Sequence, residues 1–444
     1  MNALLHRIAY YAAQSLRGEP VAHIVRELER SQRWPPERLR SLQWARQRAL
    51  ALHAFEASPF YRERWSARAV IPELLNDPQD WERLPVLEKR DLQTHAAAMR
   101  ARGQRPGLEA PTSGSSGTPV SVRRSHLSWA HAHANVIRGW HWHGIAVGER
   151  YAYFWGLPLD LEGRQVAARK DRFFNRDRCS AFDLDAGSAR EYYRRQLRRP
   201  SRWAFGYPSA LTRFAEEIAA LGLDGRALGW KAVVTTAEVL KPHQRERMVA
   251  TFGCPVADSY GCAEAGVAGF ECAHGGMHVP VESVVVELLP AGDGLAEILL
   301  TDLHNWSQPL VRYRVGDLVE PAPHLACECG VALPLLGRLS GRVGDTLELP
   351  DGRHVNANLP SYVFKHHGRE GTVREYQFVQ FSSGRIELRI VTGPAWSDAV
   401  RERLRAEVRE ALGIEVAVAE VARIERRGRG KHRDFVRAED LGEG

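Results

Sequence analysis

Apolar positions recur at helical spacing through residues 1–56. AHIVRELERSQ and LRSLQWARQRALALHAF carry the clearest runs, which predict amphipathic helices. Pro59, in SPFYRERW, ends the second of them, because a proline ring clashes with the turn before it. Residues 82–95, ERLPVLEKRDLQTH, read as a linker entering another helix. The stretch 107–122, GLEAPTSGSSGTPVSV, has no helical period and turns β-prone at its end. A long helical pattern follows, HLSWAHAHANVIRGWHWHGI. From residue 150, short apolar runs (YAYFWGL, RWAFGY, WKAVVTT, PVADSYG) alternate with the helical patterns SALTRFAEEIAALG and PHQRERMVATFG. That alternation predicts an α/β core with a largely parallel sheet.

From residue 281 the pattern is richer in strands: VESVVVELL, AEILLTDL and LVRYRVGD. A Gly- and Arg-rich joint, GRLSGRVGD, covers 337–345. Beyond it, REYQFVQFSSGRIELRIVT reads as a hairpin turning at Ser383 and Gly384. SDAVRERLRAEVREALG is an amphipathic helix ended by Gly413, and VAVAEVARI reads as a last strand. The expected organisation is a large N-terminal α/β domain, 1–341, whose first 95 residues are a mostly helical lead-in. A small α+β domain, 342–444, follows it.

Length agrees with two domains, because 444 residues exceed the roughly 250–300 at which a single core stops growing. With 44% hydrophobic and 26% charged residues, the chain is globular, not disordered. Its apolar runs fall short of the ~18 residues of a membrane span. His6 and Arg7 interrupt the start, so a signal-peptide core is lacking. A cytoplasmic location is expected, with peripheral membrane contact left open. Net charge is +7, and the only lysines are Lys89, Lys170, Lys231, Lys241, Lys365 and Lys431. The charges are interleaved with acids along the chain, so no nucleic-acid partner is expected. Six cysteines, Cys179, Cys254, Cys262, Cys272, Cys327 and Cys329, are too few for a disulfide scaffold of this size.

Five short segments carry candidate chemistry. Thr112-Ser113-Gly114-Ser115-Ser116-Gly117-Thr118-Pro119 is small and hydroxyl-rich, suited to surround phosphate oxygens with N–H groups. It lacks the lysine of a Walker loop, and a flexible linker would look similar. Asp258-Ser259-Tyr260-Gly261-Cys262-Ala263-Glu264 ends a predicted strand, where ligands gather in open α/β sheets. Its Tyr offers a stacking face, and its Glu an oxygen ligand for Mg²⁺. In Leu310-Val311-Arg312-Tyr313-Arg314-Val315-Gly316-Asp317, the final Asp could accept from a ribose diol or simply make a turn. Gly341-Arg342-Val343-Gly344-Asp345 is the fourth. Gly428-Arg429-Gly430-Lys431-His432-Arg433 is the fifth, in a run (423–437) with seven basic and two acidic residues.

The cysteines add a metal hypothesis. Cys272 and His278 lie in ECAHGGMH, Cys327 and Cys329 in ACECG. Three thiolates and an imidazole would make a closed tetrahedral Zn²⁺ site, structural because no position stays open. His274 competes with His278, and reduced, partly buried thiols are the alternative. Trp140, His141, Trp142, His143, Trp155, Tyr207 and Pro208 would wall an acyl pocket or make ordinary core.

In this order, SPFYRERW, LPVLEKRDL, TSGSSGTPV, TTAEVL, YGCAEAG, TDLHNWSQPLVRYRVGDL, LSGRVGD and GRGKHR resemble the adenylate-forming superfamily. Within it, the nearest resemblance is to the phenylacetate–CoA ligase and CapK-like branch, and it spans nearly the whole chain. The resemblance implies an ATP- and Mg²⁺-dependent ligase that converts a carboxylic acid, an aryl acid among the options, to an acyl-adenylate and then passes the acyl group to CoA. Thr112, Ser113, Gly114, Ser115, Ser116, Gly117 and Thr118 would cradle the pyrophosphate end. Thr236, Ala237, Glu238, Tyr260 and Gly261 would line the adenine pocket. Glu264 would hold Mg²⁺, Asp317 the ribose, and Arg342 ribose or phosphate. Lys431, on a mobile small domain, would bridge the carboxylate and α-phosphate. Some relatives in this branch carry a structural zinc in the region of the cysteines.

Two departures stand out. Thr118 replaces a frequent lysine, and Gly344 stands at the hinge where Asp or Lys is usual; glycine leaves rotation free. Related enzymes imply alternatives: acyl transfer to an amine, hydroxyl or carrier, adenylylation of a phenolic cofactor, or a degenerate nucleotide- and zinc-binding scaffold. A homodimer is compatible with the sequence but not required by it.

Overall fold

The computed structural model describes residues 2–104, 107–111, 121–156, 161–181, 184–292, 294–322, 326–342, 346–349, 354–356, 363–364, 367, 370–424 and 433–443, without side chains at 111, 161–162, 342, 346–348, 354–356 and 411. Thr112–Thr118, Gly344 and Lys431 therefore lie outside the described residues.

The helical lead-in forms as its periodicity predicts: Ala3–Leu16, Val21–Ser31, Pro36–Ala57 and Pro59–Ser66. Pro59 ends one helix by starting the next, at a first-turn position where its missing N–H costs nothing. A short 3₁₀ turn, Pro78–Arg83, then leads into the helix Lys89–Met99.

The large body is built on an eight-stranded sheet. Its parallel strands run in the spatial order Arg176–Ser180, Tyr151–Trp155, Trp203–Gly206, Val233–Thr236 and Val256–Cys262. The strands Gly266–Glu271, Met277–His278 and Leu335–Leu336 extend it antiparallel. Val256–Cys262 is thus the switch from parallel to antiparallel. Helices Pro208–Ala220 and Pro242–Phe252 make the crossovers beside it. A second, antiparallel sheet is formed by Val284–Gly292, Leu295–Asp302, Tyr313–Val319 and Leu339–Arg342. The lead-in is tied to this body where Ser31 donates to the buried Glu282 carboxylate, which Arg138 Nη1 holds at 2.8 Å while also donating to the Leu28 carbonyl.

The C-terminal sheet has the order Ala417–Glu420, Ile386–Thr392, Val373–Gln380, Phe435–Arg437. The hairpin is present, and Gly384 takes φ +79° in its turn. The helix Asp398–Leu412 ends at Gly413, whose φ of +74° is the left-handed cap that glycine supplies. Two strand expectations need correction. VAVAEVARI is not the last strand, because Phe435–Arg437 adds a parallel edge beyond it. The strand Arg176–Ser180 went unpredicted: RDRCS is polar, and it forms because Tyr151–Trp155 supplies its ladder.

Candidate functional site

The switch strand and its parallel neighbour end side by side, pairing Thr235 with Asp258 and Thr236 with Ser259. Thr235 Oγ1 donates to Asp258 Oδ1 at 2.7 Å, and Thr236 Oγ1 to the Ser259 carbonyl at 2.9 Å. Burial pushes the Asp258 carboxyl up to about 7, against the Thr235 hydrogen bond that lowers it. Its own N–H donates to Glu271 Oε2 (2.8 Å), a carboxylate that Arg245 Nη2 holds at 2.9 and 2.8 Å. Ala237, next along, takes φ +72°, an uncommon conformation for a residue with a Cβ. The Glu238 carboxylate accepts the Ser209 N–H at 3.1 Å, at the start of helix Pro208–Ala220.

Beyond Tyr260 the chain reverses tightly. Cys262 pairs with Gly266, leaving Glu264 at the tip of a three-residue turn. A Cβ on Gly261 would stand 2.3 Å from the Gly266 carbonyl oxygen, so this approach requires glycine. The half-buried Glu264 accepts from the Tyr313 hydroxyl at 3.4 Å. Tyr260 Oη donates to Asp317 Oδ2 at 2.8 Å, joining the two sheets. Asp317 in turn pairs across its own sheet with Arg342. Thr236, Ala237, Tyr260, Gly261, Glu264, Asp317 and Arg342 therefore come from separate sequence segments to adjoining strand ends.

A contact that sequence reading missed ties in the C-terminal sheet. Lys241 Nζ lies 2.7 Å from Asp434 Oδ1 and 3.2 Å from the Tyr376 hydroxyl, which itself donates to Asp434 Oδ2 at 3.1 Å. Asp434 is three positions after Lys431. The one available hint was the rarity of lysine in an arginine-rich chain.

The aromatic candidates are engaged in packing. Trp142 donates to Gln32 Oε1 (2.9 Å) and meets Phe270 and His278 edge-on. His143 Nε2 contacts the Glu271 carbonyl at 2.8 Å, and His141 pairs with Glu29. Trp140 packs on Trp203, and Trp155 stacks on the buried Tyr207, next to Pro208, which starts the following helix.

Cys272, His278, Cys327 and Cys329 converge, with one ligand atom from each within 4.8 Å of all the others. His274 is not in this group. Cys272 Sγ and Cys327 Sγ are 3.6 Å apart, and His278 Nε2 is 3.1 Å from Cys329 Sγ. His278 Nδ1 lies 3.0 Å from the Leu333 carbonyl. That contact fixes Nδ1 as the donor and leaves Nε2 free to ligate, the usual outer support of a metal-bound imidazole. Three thiols and one oriented imidazole fit Zn²⁺. The other cysteines do not suit nucleophilic chemistry: burial pushes Cys179 and Cys254 up to about 12 and Cys262 well above the ordinary thiol range.

No family model matches the chain. It is 22% identical over 335 residues to protein CapK of Staphylococcus aureus, covering 74% of each chain. It is 27% identical over 332 residues to the phenylacetate-coenzyme A ligase of Pseudomonas putida, covering 70% of this chain and 72% of that one. Among solved structures, 2-hydroxyisobutyryl-CoA ligase in the postadenylation state matches with a TM-score of 0.74 at 20% identity, over 93% of this chain and 92% of the other. The shared fold has a large N-terminal domain and a smaller C-terminal α/β domain.

Proposed function

Starting from a chain that belongs to the adenylate-forming superfamily, on its phenylacetate–CoA ligase-like branch, we propose an ATP- and Mg²⁺-dependent acid–thiol ligase. A carboxylate oxygen of the acid attacks the α-phosphorus of ATP. The new P–O bond gives an acyl-adenylate as the bond to pyrophosphate breaks. The thiol of CoA then attacks the acyl carbon, and AMP leaves with the bonding electrons. The first step needs in-line placement and charge neutralisation more than a general base.

The hydrogen bond from Tyr260 to Asp317 is the observation that carries this reading. It joins a phenol and a carboxylate where the two sheets meet, near Thr236, Ala237 and the half-buried Glu264, which supports reading them as one nucleotide site. In this proposal Thr236, Ala237, Glu238, Tyr260 and Gly261 border the adenine, Asp317 and Arg342 the ribose, and Glu264 the Mg²⁺. Thr112–Thr118 face the β- and γ-phosphates. Lys431 contacts the reacting oxygens, and Lys241 with Asp434 positions the chain that carries it. The division between the nucleotide-binding part, 1–341, and the lid, 342–444, then falls at the end of the strand Leu339–Arg342, with Arg342 at the joint and still paired to Asp317. Cys272, His278, Cys327 and Cys329 hold a structural zinc that takes no part in the reaction.

The test is ATP–pyrophosphate exchange with Mg²⁺ across aryl, short hydroxy, fatty and amino acids, followed by AMP release with and without CoA. Acid-dependent exchange with CoA-dependent AMP release is expected. Exchange without CoA dependence would move the acceptor to an amine, hydroxyl or carrier. Silence across the panel from protein that binds ATP would overturn the ligase assignment.

A further inference from the structure

The first helix is apolar on the wrong side. Its inward face carries the buried His6 and Gln14, with His6 Nδ1 3.1 Å from the Phe173 carbonyl and Tyr10 against Phe174. Its outward face repeats Leu4, Ile8, Ala12 and Leu16 at four-residue steps, with Leu5 beside them. Leu4, Leu5, Ile8 and Leu16 are 49%, 51%, 56% and 89% exposed. An ordinary surface helix turns its polar side outward, and one that is apolar all round is normally covered. Among the described residues nothing covers this one. The helix is also held in place: a Cβ on Gly148 would stand 2.2 Å from the Ala3 carbonyl oxygen and 2.7 Å from the Arg7 nitrogen. Its outward face therefore cannot roll inward without losing that seat.

Charge selects the occupant. Residues 1–18 contain no acid, and Arg7 and Arg17 flank the apolar stripe. Lys170 and Arg172 are exposed beside Phe173 and Phe174, which are themselves partly exposed. Carboxylates beside the helix are paired: Glu19 is buried against His126, Glu29 pairs with His141, and Asp171 is shared by Arg176 and Arg178. Fourteen residues make a helix about 21 Å long. One face of it offers far less than the roughly 800 Å² per partner of a stable protein interface. A bilayer surface needs no such matched area. None of the described helices is long and apolar enough to cross a membrane.

We propose that Ala3–Leu16 docks the protein on an anionic membrane surface. Leu4, Leu5, Ile8 and Leu16 would lie among the upper acyl chains, and Arg7, Arg17, Lys170 and Arg172 at the headgroups. The helix packs at the amino end of the parallel strands, opposite the proposed nucleotide site, so docking leaves that site open.

The experiment is co-sedimentation of the full chain with phosphatidylcholine vesicles, with and without about one quarter phosphatidylglycerol. Binding is expected only to the anionic vesicles, and weaker when salt shortens the reach of the headgroup charge. Ile8→Glu with Leu16→Glu is expected to cut binding about tenfold or more, since it removes buried aliphatic area and adds repulsion. Arg7→Glu with Arg17→Glu, which leaves the apolar stripe intact, should cut it comparably. Both double variants should keep the wild-type thermal midpoint, because the changed side chains are exposed. No binding to anionic vesicles, or binding that neither variant weakens, would overturn the proposal. So would a wild-type dimer that Ile8→Glu converts to a monomer, which would give this face to a second copy.

Discussion

The two ends of the central sheet differ in the side chains they gather: aromatic rings at the amino end, hydroxyls and carboxylates at the carboxyl end. At the carboxyl end, Thr235, Thr236, Asp258 and Tyr260 come from neighbouring strands, and Glu264 and Ala237 are only half-buried. At the amino end, Tyr151, Arg176 and Trp203 begin their strands around a cavity of about 180 Å³, which His6, Tyr10 and Trp140 also line. Several polar groups there pair within the chain, Gln14 with His133, Glu149 with Lys231 and Arg176 with Asp171, while the buried indole N–H groups of Trp140 and Trp203 find no partner among the described residues. One sheet thus carries aromatic packing at the amino end of its outer parallel strands and clustered polar groups at the carboxyl end of its two central ones. Packing fixes the strand ends; strain at Ala237 and the close approach at Gly261 are tolerated because it does.

If that division holds, variants at the two ends should separate stability from activity. Trp203→Ala is expected to cost about 3–5 kcal/mol of stability while leaving the KM for ATP of the folded fraction unchanged, which chemical unfolding and initial rates would measure. A KM change comparable to the stability loss would abolish the distinction. Lys431→Ala should lower ATP–pyrophosphate exchange about 10²–10³-fold, the usual loss when one charge-stabilising group is removed. Its thermal midpoint should stay near wild type, and so should thioester formation from supplied acyl-adenylate.

The metal cluster lies at the antiparallel edge, between these two behaviours. Cys272→Ser should lower bound zinc, read by elemental analysis of the purified protein, and lower the thermal midpoint by several degrees, as loss of a structural site does. His274→Ala should change neither. Lys241→Ala should slow adenylation about tenfold, or ~1.4 kcal/mol, by freeing Asp434. Lys241→Arg should restore most of that rate, and the CoA step should be unaffected in both. Equal slowing of both half-reactions would show a general structural role instead.

The smallest effect concerns pH. With its folded carboxyl raised to about 7, Asp258 stays protonated in the native chain between pH ~4 and 7 while the unfolded chain ionises. The native state then binds the extra proton, so this residue's contribution makes stability fall as pH rises across that window, by at most ~1.4 kcal/mol per unit. Asp258→Asn should flatten that decline and be relatively more stable than wild type at pH 8. An unchanged slope in pH-dependent unfolding would mean the carboxyl ionises normally.

Local chemistry made much of the fold legible. The lead-in helices follow from periodicity, the stop at Gly413 from glycine's access to the left-handed cap, and the C-terminal hairpin from alternation around Ser383 and Gly384. The metal ligands were legible as a set, but the choice of His278 over His274 was not, since only the pairing of Met277–His278 with Leu335–Leu336 brings that imidazole to the thiols. The polar strand Arg176–Ser180 and the final strand Phe435–Arg437 were missed because neighbouring strands, not their own residues, create them.

The sequence by itself determined the types of the strongly patterned elements, the strand-rich turn after residue 281 and the collinear motifs that point to adenylate chemistry. Those depend on short-range propensities and on residues that carry chemistry wherever they are placed. The tertiary structure alone decided that Tyr260 reaches Asp317, that Lys241 meets Asp434, and that Trp142 and His143 are spent on packing. It also decided that Leu4, Ile8 and Leu16 face outward. A helical pattern specifies that one side is apolar, but which side is covered depends on what the rest of the chain brings against it.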